Sequence, residues 1–398
     1  MRDIGHEPPL NLLLAPKRRP DRPAAPPVRP ARFVGRCFVT EAEIIDALLA
    51  FMAGDDASED AFDAMALALF AYQFENNAPL RRFARQRAKT PRNVRRWRDI
   101  PPVPITAFKE LTLSCVAPDS AMRVFMTSGT TGGARGKSYH PTLKVYDASM
   151  TANFRHRFMQ ERETIRMGVL FPDETVLPNS SLAHYLALAL RHFGAEGSGY
   201  LMGTEGIDVE AVCAALDRAT ETGEPCALLG ASYSFVHLMD ALPPDRRFAL
   251  PAGSRILDTG GFKGQSREME AAAFYDQLSA TFGVPKRLCI NMYGMTELST
   301  QFYDDGNEET PPVKSGPHWI RSHVVDPLTG REMPQGAIGV LAHCDLAHFN
   351  SACAILTEDA GLDTGDGFLL LGRADGEEAR GCSMAIEEFL RAAQGRAG

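Results

Sequence analysis

The chain predicts an α/β fold, and three observations carry that expectation. Beyond about residue 101, the short apolar runs RVFMTS, MGVLFP, CALLG, RILDTG, KRLCINMYG, IGVLAHC and DGFLLLG read as strands. Segments of helical periodicity, such as SLAHYLALALRHFG and SREMEAAAFYDQLSATFG, lie between several of them. Strands that alternate with helices imply crossover units and a mainly parallel sheet. The 398 residues, 44% apolar and 23% charged, suffice for a large core.

Residues 1–36 are rich in proline and arginine and carry a net charge of +5. They cannot bury enough apolar surface to offset the entropy of ordering, so a disordered tail is expected there. Residues 37–100 read as helical. Thr40, with Glu43 three residues on, forms a capping box ahead of EIIDALLAFM, and a second helix follows across DAFDAMALALFAYQFE. The basic stretch LRRFARQRAKTPRNVRRWRD suits nucleic acid, a phosphorylated ligand tail or simply solvent. The α/β region spans 101–372, and 373–398 is a hinge with a short final segment.

No apolar run approaches the ~20 residues of a membrane span, and the N-terminal MRDIGHEPPLNLLLAPKRRP is no secretory signal, so a cytoplasmic location is expected. The net charge of −8 argues against nucleic acid as the main partner. The cysteines, at 37, 115, 213, 226, 289, 344, 353 and 382, fall in no C-x-x-C pair, which suits reduced thiols rather than a zinc site.

Three segments carry chemistry. FMTSGTTGGARGKSYH follows a strand. Its glycines at 129, 132, 133 and 136 allow backbone amides to converge on an anion. Thr127, Ser128, Thr130 and Thr131 add hydroxyl donors, and Lys137 a point charge suited to phosphate. This is not a Walker A loop, and a mobile linker has the same composition. NMYGMTELST puts Tyr293, Gly294, Thr296 and Glu297 at a strand end, where a ring can stack on a base, a hydroxyl meet phosphate and a carboxylate hold Mg²⁺. LTEDAGLDTGDGFLLLGRAD supplies acids suited to a ribose diol or a metal, then Arg373 and Asp375.

In this order the three segments resemble the signature motifs of the adenylate-forming superfamily. TSGTTGGARGK is similar to its phosphate loop, with the lysine two positions late. MYGMTE is similar to Y-G-x-T-E, and LTED to T-G-D with glutamate for glycine, ahead of G-R-x-D. DIPPVPITAFKEL, LPNSSLAHYLALALRHFG, LDTGGFKG and GRADGEEARGCSMAIEEF further resemble the LuxE-type acyl-protein synthetases, from about residue 60 to the end. The resemblance implies a large domain of parallel and mixed sheets flanked by helices over 37–372, with a truncated C-terminal cap. Only 23 residues follow Asp375, against a whole mobile cap domain in typical members.

It also implies a reaction. A carboxylic acid, fatty in this family, is activated by ATP and Mg²⁺ as an acyl-adenylate. The acyl group then passes to a cysteine thiol and on to a partner, a reductase or a carrier protein. The implied roles are these. Thr127, Ser128, Gly129, Thr130, Thr131, Gly132 and Lys137 hold the phosphates, and Gly260 and Gly261 form the adenine-side turn. Tyr293 and Gly294 border the base, Thr296 meets the α-phosphate and Glu297 the Mg²⁺. Asp359 binds the ribose, preferred over Asp366 because DGF resembles the hairpin turn that follows that motif. Arg373 contacts ribose or phosphate. His184 and Tyr233 are candidates for the carboxylate and acyl pocket. Cys382, beside Arg380 and near the chain's end, is the acyl-accepting thiol, with a buried structural cysteine as the alternative. Two other functions remain open: an adenylating ligase that loads coenzyme A or a carrier protein, and a non-catalytic nucleotide- or carboxylate-binding protein.

Overall fold

Thr40 opens the first helix as its capping box predicts. Its hydroxyl accepts the Glu43 amide at 3.3 Å while the Glu43 carboxylate accepts the Thr40 amide at 3.1 Å, and α1 (Glu41–Met52) follows. The computed structural model describes residues 40–128, 134–203, 206–262 and 266–394. The expected tail at 1–36 and Gly129, Thr130, Thr131 and Gly132 of the phosphate loop lie outside these. Ser58 caps α2 (Glu59–Asn76) and Asn77 caps α3 (Ala78–Gln86). Their apolar faces, with Ile44, Leu48, Phe62, Leu69 and Phe70, pack against Leu346, Phe349 and Cys353 far along the chain. Gln73 is fully buried there. Its amide donates to the carbonyls of His348 and Phe349, and its oxygen accepts the Cys353 amide.

The chain then makes β1 (Val103–Pro104), a single turn α4 (Ala107–Glu110) and a hairpin of β2 (Arg123–Met126) and β3 (Lys137–His140), in which Met126 faces Lys137. RVFM therefore belongs to a separate two-stranded hairpin and not to the parallel sheet. Next come α5 (Lys144–Phe154), β4 (Arg166–Leu170), α6 (Ser181–Phe193), β5 (Gly199–Tyr200), the small pair β6 (Met202–Gly203) and β7 (Gly206–Ile207), α7 (Val209–Thr222), β8 (Cys226–Ala231), α8 (Ser232–Ala241), β9 (Arg255–Thr259), α9 (Ala271–Phe282), β10 (Cys289–Tyr293) and β11 (Phe302–Tyr303). They build a sheet of order β11-β10-β9-β8-β4-β5, parallel except for β11. Every residue of β8 is buried, as expected of a strand covered on both faces. Ala227 and Leu229 pack with residues of α5 and α6, while Cys226 and Leu228 pack with residues of α7, α8 and α9. Strand alternation thus divides one apolar run between two cores.

The remaining strands correct the expectation of one mainly parallel sheet. β12 (Val313–Lys314), β13 (Ile320–Val325), β14 (Ile338–Asp345), β15 (Ala354–Asp363) and β16 (Phe368–Arg373) form a second sheet, ordered β12-β16-β15-β14-β13 and antiparallel throughout, with β1 joined parallel to β15. IGVLAHC and DGFLLLG lie here. The connection at 364–367, where the Thr364 amide donates to the Gly367 carbonyl, is a hairpin turn and too short for a parallel crossover. The last element, α10 (Gly376–Gln394), begins earlier than the sequence pattern suggests and encloses Cys382. It lies on α3, with the rings of Phe83 and Phe389 4.6 Å apart and an ion pair from Arg87 to Glu388.

The two sheets meet at a buried charge pair. Lys314 of β12 sends its ammonium to the Asp304 carboxylate at 2.7 Å and to the Asn291 side-chain oxygen at 2.6 Å, and Asp304 also accepts the Asn291 and Gly306 amides. Burial pushes the Asp304 carboxyl up and the Lys314 ammonium down, and each partner's charge opposes the other's shift. Removing one member strands the other without its counter-charge. Lys314→Met is therefore expected to lower the free energy of unfolding by about 3 kcal/mol, read as a lower urea midpoint, with most of the loss recovered in Lys314→Met/Asp304→Leu.

Candidate active site

The C-terminal ends of the parallel strands carry the site, as the rule for open α/β sheets anticipates. At the end of β9, Gly260 has φ +77° and Gly261 follows; a Cβ on either would meet no atom of the described residues within 4 Å. Ser232, the first residue of α8, donates to the Asp258 carboxylate at 2.7 Å and also reaches the Thr259 carbonyl at 3.1 Å. Tyr275 and Asn291 supply further donors to Asp258. Burial pushes the Asp258 carboxyl up to about 6 against these hydrogen bonds. The Gly260–Gly261 turn is thus tied to the helix that carries Tyr233. Tyr233 is half-buried on that helix, and its ring meets His237.

At the end of β10, Tyr293 is buried and its phenol donates to Asp359 at 2.7 Å. Sheet register sets Asp359 of β15 opposite Arg373 of β16, whose guanidinium comes within 3.5 Å of the same carboxylate and 3.3 Å of Glu358. Three residues from two separate motifs, Tyr293, Asp359 and Arg373, therefore converge. Asp366 stands apart from them, exposed on the β15–β16 turn.

Glu297 lies one turn past Gly294 and is 2% exposed, while Thr296 beside it is half-exposed. Its position explains a glycine in the phosphate-loop hairpin. A Cβ on Gly136 would sit 3.0 Å from the Glu297 carboxylate and 3.1 Å from the Thr127 methyl. Gly136 and Thr127 also close the root of that hairpin: the Thr127 amide donates to the Gly136 carbonyl, and the Gly136 amide to the Thr127 hydroxyl, both at 3.0 Å. Ser128 and Lys137 are exposed at the hairpin's mouth. Burial pushes the Glu297 carboxyl up to about 7, opposed by the cations Lys109 and Arg373. Lys109 was missed in the sequence; the only signal for it was the segment ITAFKEL ahead of the loop. Asp345 was missed as well. Fully buried, it accepts the Ser299 and Thr300 amides at 2.7 and 2.9 Å and the Thr300 hydroxyl at 2.7 Å, and so anchors the chain just beyond Glu297.

His184 is 4% exposed, with Nδ1 2.7 Å from Glu174 and Nε2 2.9 Å from Asp147. Both ring nitrogens thus have carboxylate partners, and the ring packs against Phe125 of the phosphate hairpin. Cys382 is 8% exposed among Val325, Val340, Ala342, Leu356 and Ala385, with its sulfur 3.8 Å from the Thr357 carbonyl. That carbonyl lies two residues along β15 from Asp359. Gly381 permits this seating, because a Cβ there would come within 2.6 Å of Pro327. The described cysteines form no disulfide. No described group of three or more His, Cys, Asp and Glu converges on a point, and no described helix is long and apolar enough to cross a membrane.

Comparison with known proteins gives this geometry a family. The family described as acyl-protein synthetase, LuxE, matches residues 38–391. The long-chain-fatty-acid–luciferin-component ligase of Vibrio harveyi is 23% identical over 81% of this chain and 86% of its own length; that of Aliivibrio fischeri is 24% identical over 66% and 69%. Among solved structures, 2-hydroxyisobutyryl-CoA ligase in the postadenylation state aligns over 85% of this chain and 69% of its own, with a TM-score of 0.57 at 16% identity, a likeness of fold. The chain spans about half (49%) of ATP-bound MatB from Rhodopseudomonas palustris, at 18% identity and a TM-score of 0.46 over 65% of this chain. The chain belongs to the acyl-protein synthetase, LuxE, family, and is an ATP-dependent ligase that activates a carboxylic acid and passes the acyl group to a protein.

Proposed function

We propose that the acid is a long-chain fatty acid, that Mg²⁺ accompanies ATP at Glu297, and that the acyl group passes through the Cys382 thiol. One observation carries the nucleotide part. The phosphate-loop hairpin, at Thr127 and Gly136, closes on the Glu297 carboxylate so tightly that a side chain at 136 would have to push its neighbours aside. A single buried carboxylate suits Mg²⁺, which takes one or two protein carboxylates and fills its shell with phosphate and water. When bound, that ion would neutralise phosphate charge.

The chain's own residues then have distinct parts. Ser128 and Lys137 stand where phosphates would lie, with Lys109 as a third contributor. Tyr293 holds Asp359 in the orientation that accepts the two ribose hydroxyls, and Arg373 flanks it. The open turn at Gly260–Gly261 leaves room for adenine. His184, with both nitrogens engaged, serves by positioning Phe125 and the hairpin rather than by binding the carboxylate directly. Tyr233 borders the acyl chain. The Cys382 sulfur, behind the strand that carries Asp359, loses its proton and attacks the acyl-adenylate carbonyl carbon once α10 shifts enough to uncover it; the bond from that carbon to the phosphate oxygen breaks and AMP leaves. A thiol this enclosed is unreactive as it stands.

The fatty acid rests on the relatives' names, so a panel of carboxylates in an ATP–pyrophosphate exchange assay tests it; a short aryl or amino acid as best substrate overturns it. Cys382→Ala is expected to retain carboxylate-dependent exchange while losing labelled acyl group on the intact protein. Persistent labelling moves the acceptor elsewhere. Glu297 provides a second prediction. An ordinary glutamate titrates near 4.5 and this one near 7 when folded. Between those values the folded chain retains a proton that the unfolded chain has lost. Stability therefore falls by roughly 3 kcal/mol as pH rises across that window, and is flat above it. Glu297→Gln is expected to abolish exchange, to match the wild type in urea near pH 4.5 and to exceed it at pH 8; equal midpoints at pH 8 would sink the assignment of a buried, reluctant carboxylate.

A further inference from the structure

Residues 81–98 hold eight arginines, one lysine and no acid, on a chain whose net charge is −8. Carboxylates answer some of these cations: Glu75 pairs with Arg81, Glu388 with Arg87, Asp99 with Lys89, and Glu59 and Glu332 with Arg98. Arg82, Arg92, Arg95 and Arg96 are exposed and have no ion-pair partner among the described residues. Arg95 and Arg96 give their backbone amides to Asp99, while Phe83, Val94 and Trp97 supply buried side-chain contacts of this stretch. Like charges at this spacing repel one another, so the arrangement suits an external anionic surface.

The helix that carries Arg82, α3, packs on α10. A cleft at this contact is lined by Phe83, Arg87, Pro104, Val325, Leu356 and Ala385. Val325, Leu356 and Ala385 also enclose Cys382. An apolar floor with Arg87 in its lining and Arg82 on the adjoining helix matches the apolar core and polar rim of a protein–protein interface. Single-stranded nucleic acid fits poorly, since the aromatics interleaved with the arginines, Phe83 and Trp97, are buried and cannot stack on bases.

We propose that Arg82, Arg92, Arg95 and Arg96 dock an acidic face of the acyl-accepting protein and bring its thiol to the cleft beside Cys382. This rests on Cys382 as the acyl carrier. The acceptor's thiolate adds to the thioester carbonyl carbon, the bond from that carbon to the Cys382 sulfur breaks, and Cys382 leaves as thiolate, taking up the proton that the acceptor thiol released.

The experiment uses two helical peptides, each with one cysteine, one rich in glutamate and its counterpart rich in lysine. With labelled acyl-enzyme at low salt, the acidic peptide is expected to be acylated at least about tenfold faster than the basic one, and 0.5 M NaCl should erase the difference. Arg82→Glu/Arg92→Glu/Arg95→Glu is expected to abolish the preference while leaving ATP–pyrophosphate exchange unchanged, and the corresponding triple glutamine variant to weaken it. Equal rates for the two peptides, or a preference that survives charge reversal, would overturn the proposal. So would tighter binding of a DNA duplex than of the acidic peptide. Fluorescence anisotropy of the acidic peptide on Cys382→Ala separates the two readings: binding there without any acyl transfer keeps the docking face, whereas labelling of the Cys382→Ala protein removes only the carrier role.

Discussion

The approach of the Thr127–Gly136 hairpin root to the Glu297 carboxylate is the contact on which the site depends. It couples three parts of the chain that are far apart in sequence: the phosphate hairpin, the turn after β10, and α4 with Lys109. A carboxylate taken this far from water is costly unless a cation will share it. The neighbouring cations reduce that cost only in part, which is why the group holds its proton near neutrality. The glycine at 136 lies where the hairpin root and the turn that carries Glu297 meet.

Around that contact the fold arranges supports rather than further reactants. Asp345 fixes the backbone beyond Glu297 through two amides and a hydroxyl. Asp258 and Ser232 join the Gly260–Gly261 turn to α8, which carries Tyr233. Lys314 and Asp304 join the parallel sheet to the antiparallel one. Each support is a buried carboxylate satisfied by several donors, an arrangement that favours one geometry of the surrounding loops over its competitors. The parts of the candidate site are consequently connected by hydrogen bonds as well as by proximity.

Much of this was legible in the sequence wherever the signal is local. The Thr40–Glu43 capping box and the apolar run CALLG each express a nearby physical requirement, and each appears as the expected helix start and strand. Tyr293, Asp359 and Arg373 were named from the family resemblance, and the fold brings them together. What sequence reading missed depends on long-range pairing. Whether IGVLAHC joins a parallel or an antiparallel sheet is decided by its partners and by the short turn at 364–367. Lys109 and Asp345 carry no local pattern, and their importance lies in what faces them across the fold. The burial of Cys382 stood in the sequence only as an alternative, because its cause, Pro327 lying against Gly381, is more than fifty residues away in sequence.

The hydrogen bonds of Gln73 have a consequence for how the chain is made. Its partners, from His348 to Cys353, lie 275 to 280 residues downstream. A ribosome therefore exposes α2, with its apolar face and an amide that belongs in the interior, long before the groups that satisfy them exist. In nascent chains α2 must wait for these partners until the segment through Cys353 has emerged, a delay that favours assistance by chaperones during synthesis.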